Sequence, residues 1–446
     1  MTLRSFARAW NTSSKRPTFE KKQCLIILFF DWGMGYMYWI GMKLYQWLTG
    51  SLSLGKTRFL SRKEILKNPP EIKLDRLKGG IAYYDAQFDD ARLAIHLDQI
   101  CAEQGGSLLN YFKVSALLKE GNKILGIIAR DMENQKEYRL HSKVVINATG
   151  VFADEILQLD ESQRPISLKD SQGTYIVLDK SFFKSTSAMV IPKTSDGRGL
   201  FAVPWNGHVL VGTTDIPMDK HSLEPKPLDE GIDFILKTFE KYFDRSPQKK
   251  DILSVFCGLR PLVIPSKNTS ITKDISRNHK LILSESGLIT IIGGKWTIYR
   301  KMAEDTVNKA IQVGGLKKTS SETQHLKIHG FSTPHFMGDR WIVYGTDASR
   351  IKQLIERTPF LNQKLAEYWP YTAAEVVWAT RNEITRTVED VLARRFRVLF
   401  LDARAAMNMA LKVASLMNKE LHQDRAWEKD QITAFKELAA RYLVKK

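Results

Sequence analysis

Residues Leu288-Ile289-Thr290-Ile291-Ile292-Gly293-Gly294-Lys295-Trp296-Thr297-Ile298-Tyr299-Arg300 read as a buried-type strand, a two-glycine turn bearing a lysine, and a helix start continuing through Lys301-Met302-Ala303-Glu304-Asp305-Thr306. At such a junction the first backbone N–H groups lack partners and the positive end of the helix dipole points outward. Glycines let a flat ligand approach the backbone closely. The turn is thus a seat for the electron-rich edge of a ring or for a phosphate. Taken alone it reads equally well as a turn whose glycines serve only the backbone.

Upstream, Val144-Val145-Ile146-Asn147-Ala148-Thr149-Gly150 is a second strand ending in small residues. In α/β units ligands lie beyond the carboxyl ends of strands, so the two ends can flank one flat cofactor. Between Gly79 and Ser284 the pattern predicts strands at 81–85, 108–114, 123–130, 138–146, 173–178, 188–191, 199–203, 208–212, 255–264 and 280–284, with helices at 90–104, 151–159 and 229–243. The strands between Ser167 and Asp215 suggest an antiparallel sheet. From about residue 330 the chain predicts helices alone, at 348–367, 372–395, 397–418 and 427–443. The expected division is residues 1–330, α/β, and 331–446, an all-helical C-terminal domain.

The 446 residues and 43% hydrophobic content describe a globular chain with room for sizeable cores. Three scattered cysteines imply neither a disulfide framework nor a zinc site, and each reads as a small buried hydrophobe. The nine histidines have no metal-like spacing. The net charge of +18 suits an anionic lipid surface or an anionic substrate. Without a zinc finger, RRM core or basic arm, nucleic acid is excluded as the expected partner. Residues 1–23 carry no signal-peptide pattern. The apolar run Leu25 to Ile40, about 17 residues long, holds Asp31 and glycines and reads as an interior or interfacial segment, not a span. A helix over 32–50 is predicted to end at Gly50.

Gly258-Leu259-Arg260-Pro261-Leu262 sets an arginine between an apolar strand and a proline, suited to gripping phosphate or carboxylate; alone it reads also as an ion-paired surface arginine. Arg277 and Lys295 are two further cations from neighbouring elements, and three together favour a small dianion. Gly212-Thr213-Thr214-Asp215 reads as a tight turn. His208 and His279 are candidate bases, though a lone histidine is more often structural or solvated. Asp89 or Asp90 reads as an N-cap.

As an ordered set, Tyr83-Tyr84-Asp85-Ala86-Gln87-Phe88-Asp89-Asp90-Ala91-Arg92-Leu93, Asn147-Ala148-Thr149-Gly150, Pro192-Lys193-Thr194-Ser195-Asp196-Gly197-Arg198, Gly212-Thr213-Thr214-Asp215, Gly258 to Leu262, Ile275-Ser276-Arg277, Gly293-Gly294-Lys295-Trp296-Thr297 and Arg386-Thr387-Val388-Glu389-Asp390-Val391-Leu392-Ala393-Arg394-Arg395 resemble the FAD-dependent glycerol-3-phosphate dehydrogenases. The resemblance spans roughly residues 31 to 446. It implies oxidation of sn-glycerol 3-phosphate to dihydroxyacetone phosphate, with hydride passing from C2 to FAD and electrons to a quinone. It implies Arg260 and Lys295 as catalytic residues, with Arg260, Arg277 and Lys295 binding substrate. Ser13, Ser14, Thr149, Gly150, Gly293, Gly294 and Thr297 are the implied FAD contacts, and no metal is expected. With the positive charge, this predicts a cytoplasmic protein peripheral on the anionic inner face of the cytoplasmic membrane, and it allows a homodimer.

The family opens with a strand and a GxGxxG turn for the FAD pyrophosphate; here Gly33-Met34-Gly35 lacks the third glycine. Thr12-Ser13-Ser14-Lys15 resembles a flavin-contact segment that follows that opening unit. Arg16-Pro17-Thr18-Phe19-Glu20-Lys21-Lys22-Gln23 does not match the His-Gly-Gly stretch, with its further substrate arginine, that comes next. The expected fold is therefore an α/β FAD-binding Rossmann-type domain, incomplete at its N-terminus, with an antiparallel substrate-domain sheet and the helical C-terminal domain. A central parallel strand would be missing, an apolar edge exposed, and FAD held weakly unless another chain supplied the unit. The alternative functions are a non-catalytic relative that binds a membrane surface or partner, and another FAD-dependent oxidase of the same fold.

Overall fold

The computed structural model describes residues 21–50, 53–67, 72, 73, 75, 77–163, 168–192, 194, 199–263, 279–331 and 340–444. Its largest sheet has the order β12-β8-β11-β10-β9-β1-β3-β2, with β13 on the other edge of β8. These strands are β1 (Lys21–Phe29), β2 (Arg58–Ser61), β3 (Gly79–Gln87), β8 (Leu168–Asp179), β9 (Ala188–Ile191), β10 (Leu200–Trp205), β11 (His208–Gly212), β12 (Ile216–Met218) and β13 (Ile252–Val263). Apart from the parallel pair β1–β9, the sheet is antiparallel, as the sequence predicts for its strands between Ser167 and Asp215.

The apolar run after Gln23 is two elements. The strand β1 is buried from Ile26 onward, with Leu28 and Phe29 fully so. The helix α1 (Trp32–Thr49) starts at the Asp31 N-cap, whose side chain accepts from the Met34 N–H, and stops at Gly50 with φ 55°. Gly35 lies against the Phe29 ring, where a Cβ would sit 2.8 Å from ring carbons.

Two small sheets complete the strands. The first is antiparallel, β4 (Phe112–Glu120), β5 (Lys123–Asp131) and β6 (Glu137–His141). The expected strand at 108–114 begins later because Tyr111 takes φ 58°, a left-handed turn that no strand continues through. The second has the order β14-β15-β7, from β7 (Ile146–Asn147), β14 (His279–Leu283) and β15 (Ile289–Gly293). The expected strand 138–146 thus divides between two sheets. Parallel pairing of β15 with β7 spans Ile289↔Ile146 and Thr290↔Asn147. Among the described residues β7 has no second neighbour, and Ile146 is half-exposed.

The helices of this part are α2 (Arg62–Lys67), α3 (Asp90–Glu103), α4 (Ala153–Asp160), α5 (Asp229–Tyr242) and α6 (Tyr299–Gly314). Asp89, not Asp90, is the N-cap of α3, accepting from the Arg92 N–H. The main core lies between the even-numbered face of β8 and α5, joining Ile176 and Leu178 to Ile232, Ile235 and Phe239. Cys101 is exposed on α3, against expectation, while Cys24 and Cys257 are partly buried.

From Arg340 onward the chain is helical: α7 (Asp347–Arg357), α8 (Ala373–Asn382), α9 (Val398–Leu401), α10 (Ala403–Leu421) and α11 (Arg425–Ala440). The predicted helix 348–367 ends early because Pro359 cannot continue the hydrogen-bond ladder. The predicted 372–395 breaks at Ile384, with φ 47°, and resumes as a π-helical turn over Asp390–Arg395. There Asp390 accepts from the N–H groups of Arg386 and Thr387.

This helical part is bound to α3 by charge. Arg92 and Glu383 pair at 2.6 Å with side chains 2% and 1% exposed. His329 bridges Glu103 of α3 at 2.5 Å and Asp347 of α7 at 2.7 Å. The Asp347 hydrogen bond, with Glu103 adding to it, raises the His329 pKa above its ordinary 6.5. Its neighbour His96 is kept neutral, lowered to about 3 by burial and then by Arg92. A raised pKa stabilises the fold fully below the unfolded value, and the gain is lost as pH rises through the folded value. Wild type is therefore expected to melt above His329→Gln at pH 6, with the difference shrinking through and beyond pH 7, as thermal scans across pH would read.

Candidate functional site

In β8 and β13 the residues Ser171, Gly173 and Tyr175 share a face with Arg260, Gly258 and Phe256 opposite them. The Arg260 side chain crosses β8 at Gly173, where a Cβ would stand 2.3 Å from Nη2 of the arginine and 2.7 Å from Thr213 Oγ1. Arg260 Nη2 donates to Thr213 Oγ1 at 3.0 Å, and Nη1 donates to the Thr214 carbonyl at 3.3 Å. Nη1 also lies 3.6 Å from Asp215 Oδ1, which accepts a hydrogen bond from Ser171. The Arg260 side chain remains 33% exposed. A guanidinium has five N–H donors, so this seat fixes the group and leaves donors for an anion. The Gly212–Asp215 segment, read from sequence as a turn, therefore also holds the arginine.

The two glycine turns are tied through Asn147. Its Nδ2 donates to the Ala153 carbonyl at 2.9 Å and to Thr290 Oγ1 of β15 at 3.2 Å, and its Oδ1 accepts from the Thr149 hydroxyl at 2.7 Å. Gly150, Gly293 and Gly294 have φ of 64°, 72° and 81°, which L side chains rarely adopt. Nothing stands within 4 Å of a Cβ built on Gly150, so this backbone faces open space. Thr149, Gly150 and Lys295 are exposed, and Thr297 is half-buried in the 3-10 turn Trp296–Ile298. Ala153, Leu168 and Ile292 form one buried cluster with Val263 packed against it. This brings both turns to the end of the strand pair that carries Arg260.

Left-handed glycine backbone on two adjacent turns, exposed at Gly150 and half-buried at Gly293 and Gly294, suits the face and edge of a flat ring, so these residues fit the isoalloxazine half of FAD. Arg277, Ser13 and Ser14 lie outside the described residues. His279 is held by Asp305 at 3.0 Å, and His208 stacks on Trp369, so both candidate bases have structural partners. Among the described residues no group of three His, Cys, Asp or Glu could hold a metal ion.

Sequence reasoning missed Ser171 and Gly173 and read Thr213 only within a turn, though all three build the arginine's seat; for Gly173 the local signal was a glycine inside a strand pattern. Gly173→Ala is expected to fold, because the guanidinium is the end of a flexible chain, while displacing Arg260 from Thr213. If the substrate is the one the resemblance implies, glycerol 3-phosphate turnover should show KM raised about tenfold with the melting temperature held, on the scale of one lost charged hydrogen bond.

The family model described as FAD dependent oxidoreductase matches residues 4–300, and that for the C-terminal domain of alpha-glycerophosphate oxidase matches residues 289–429. The mitochondrial glycerol-3-phosphate dehydrogenase of Bos taurus is 34% identical over 436 residues, 90% of this chain and 58% of that protein. That of Saccharomyces cerevisiae is 32% identical over 489 residues, 92% of this chain and 75% of that protein. The chain thus spans about three-fifths of the length of the first of these relatives. The crystal structure of the Bacillus halodurans glycerol-3-phosphate dehydrogenase complexed with FAD superposes with a TM-score of 0.78 at 24% identity, covering 100% of this chain and 86% of that one. The glycine turns, the arginine-bearing sheet and the helical C-terminal part fall within these matches, and the chain belongs to the FAD-dependent oxidoreductases as a member of the glycerol-3-phosphate dehydrogenase family.

Proposed function

We propose that this chain oxidises sn-glycerol 3-phosphate to dihydroxyacetone phosphate and passes the electrons to a membrane quinone. The observation that carries the reading is Arg260, fixed from behind by Thr213, Thr214 and Asp215 yet one-third exposed, on the strand pair whose end packs with the elements bearing the two glycine turns. A prepositioned cation binds a dianion with little reorganisation. On this reading Arg260 holds the phosphate, with Lys295 and Arg277 as the other substrate cations. Arg260 and Lys295 then orient the C2–H bond for transfer. Thr149, Gly150, Gly293, Gly294 and Thr297, with Ser13 and Ser14, are the residues that would hold FAD, which supplies the hydride acceptor when bound. We read residues 1–330 as the cofactor and substrate part and 331–446 as the helical domain. A panel of glycerol 3-phosphate, glycerol, 2-hydroxy acids and amino acids tests the assignment; turnover of an amino or hydroxy acid in preference to the phosphate ester would overturn it.

The helix α1 supports docking on an anionic membrane surface. Trp32, Tyr36, Met37, Ile40, Leu44 and Trp47 are 48–71% exposed and recur at helical spacing, while Tyr38, Trp39 and Met42 on the other side pack against β1 and β3. Among the described residues no helix is long and apolar enough to cross a membrane. An apolar stripe on a chain of net charge +18 suits lying in the interface of anionic lipid. A quinone acceptor and the inner face of the cytoplasmic membrane follow from the same reading, and a homodimer is compatible with it. Vesicles containing anionic lipid should bind the protein, with binding weakened by salt and by Ile40→Glu; equal binding to neutral vesicles at all salt concentrations would overturn the electrostatic part.

A further inference from the structure

The joint between the cofactor turn and the arginine-bearing strands is closed by a histidine that the reaction has not yet used. His221 Nε2 lies 2.8 Å from Glu155 Oε1, on the first turn of α4, directly after the Thr149–Phe152 turn. Its Nδ1 lies 3.4 Å from Asp170 Oδ2, on β8 opposite Pro261 of β13 and one residue from Ser171. The Phe152 ring meets the imidazole edge-on at 5.0 Å. Asp170 is 6% exposed, and its Oδ1 has no hydrogen-bond partner among the described residues. Burial raises the Asp170 pKa, His221 opposing and the neighbouring Asp154 adding. Next to this bridge, Asp154 Oδ2 accepts from the Leu168 N–H at 2.9 Å, a second tie between α4 and β8.

His221 begins a strap that continues across the same face of the sheet. The Pro225 carbonyl accepts from Cys257 Sγ at 3.0 Å and the Lys226 carbonyl from Gln172 Nε2 at 3.1 Å. Just before them, Glu224 accepts from the Tyr442 hydroxyl at 3.1 Å and lies 3.8 Å from Arg394. The strap is therefore anchored at its far end by β8, β13 and the helical domain, and His221 is its anchor on the cofactor turn. Even-numbered residues of β8 face this strap, while Ser171 and Gly173 face Arg260. His221 thus acts from behind the substrate face and cannot be a substrate contact there.

We propose that His221 is a positioning residue: by bridging Glu155 and Asp170 it fixes the Thr149–Gly150 turn relative to the strand pair carrying Arg260. Its catalytic consequence rests on the function proposed above, because the two parts it registers are the ring seat and the phosphate grip. A misplacement of about 1 Å between such parts costs on the order of 100-fold in rate. The bridge itself needs no cofactor.

The test is amide-hydrogen exchange on wild type, His221→Gln and Glu155→Gln, the last removing one anchor while leaving the histidine. Both variants are expected to exchange about tenfold faster in 149–156 and 168–172 together, with α10 unchanged. With FAD and glycerol 3-phosphate, both should lose about tenfold in kcat with KM within about twofold, unlike a substrate-arginine variant. Exchange unchanged in both segments, or faster only in 219–226, would overturn the proposal. Should His221→Gln fail to fold, Glu155→Gln decides alone. If wild type turns over no glycerol 3-phosphate while the two segments still loosen together, the function reading fails and the bridge stands.

Discussion

Replacing Arg260 by alanine is expected to lower kcat/KM for glycerol 3-phosphate about 100-fold, chiefly through KM, while the protein stays folded. The side chain is one-third exposed, so its removal opens no deep cavity. On the proposed reading what is lost is the cation for the phosphate, and what remains is Asp215, 3.6 Å from the vacated Nη1 position and of the wrong sign for a dianion. Losing one partner of a desolvated charge pair costs about 3 kcal/mol, or about 100-fold. Arg260→Lys should recover only part of the loss, because one ammonium cannot reach Thr213, Thr214 and an anion together in the fork geometry of arginine. Steady-state kinetics on both variants decide this, and an unchanged KM in Arg260→Ala would remove the residue from the substrate site.

Glu383→Ala is expected to be the most destabilising single change, at about 3–5 kcal/mol. Its carboxylate is 1% exposed and faces two cations, Arg92 at 2.6 Å and Arg395 at 3.7 Å. Removing it leaves the Arg92 guanidinium buried without its carboxylate, and Arg395 with Asp390 at 3.7 Å. Arg92→Ala should cost less, since Glu383 then still faces Arg395. The order of the two, and not only their size, follows from this geometry. Urea unfolding reads both; a Glu383→Ala midpoint equal to wild type, or Arg92→Ala the worse variant, would contradict it. The pair ties α3 to the helical part, so the weakened variant should open there first, with Trp378 fluorescence as the local reporter.

What could be read from sequence was what is encoded locally. Gly150, Gly293 and Gly294 are legible because a left-handed backbone favours glycine. The ends of α1 and α3 are legible for the same reason, since Asp31, Gly50 and Asp89 act within four residues of themselves. The seat of Arg260 was not legible, because it joins Arg260 to Gly173 and Thr213 across a strand register that no local pattern specifies. His221 was invisible for the same reason, as its partners lie 66 and 51 residues away along the chain. The helical part misled in the opposite way. Its apolar period runs on through Ile384, where a positive φ breaks the helix and turns the Glu383 carboxylate and carbonyl toward Arg395. Tertiary charge pairing there overrides local helix preference.

The visible absorbance spectrum of the purified protein, before and after adding FAD and then glycerol 3-phosphate, tests the central claim most directly. The account predicts a bound-flavin spectrum once FAD is supplied, bleached by glycerol 3-phosphate and not by glycerol. A protein that takes up no flavin, or whose bound flavin stays oxidised with glycerol 3-phosphate, would contradict it.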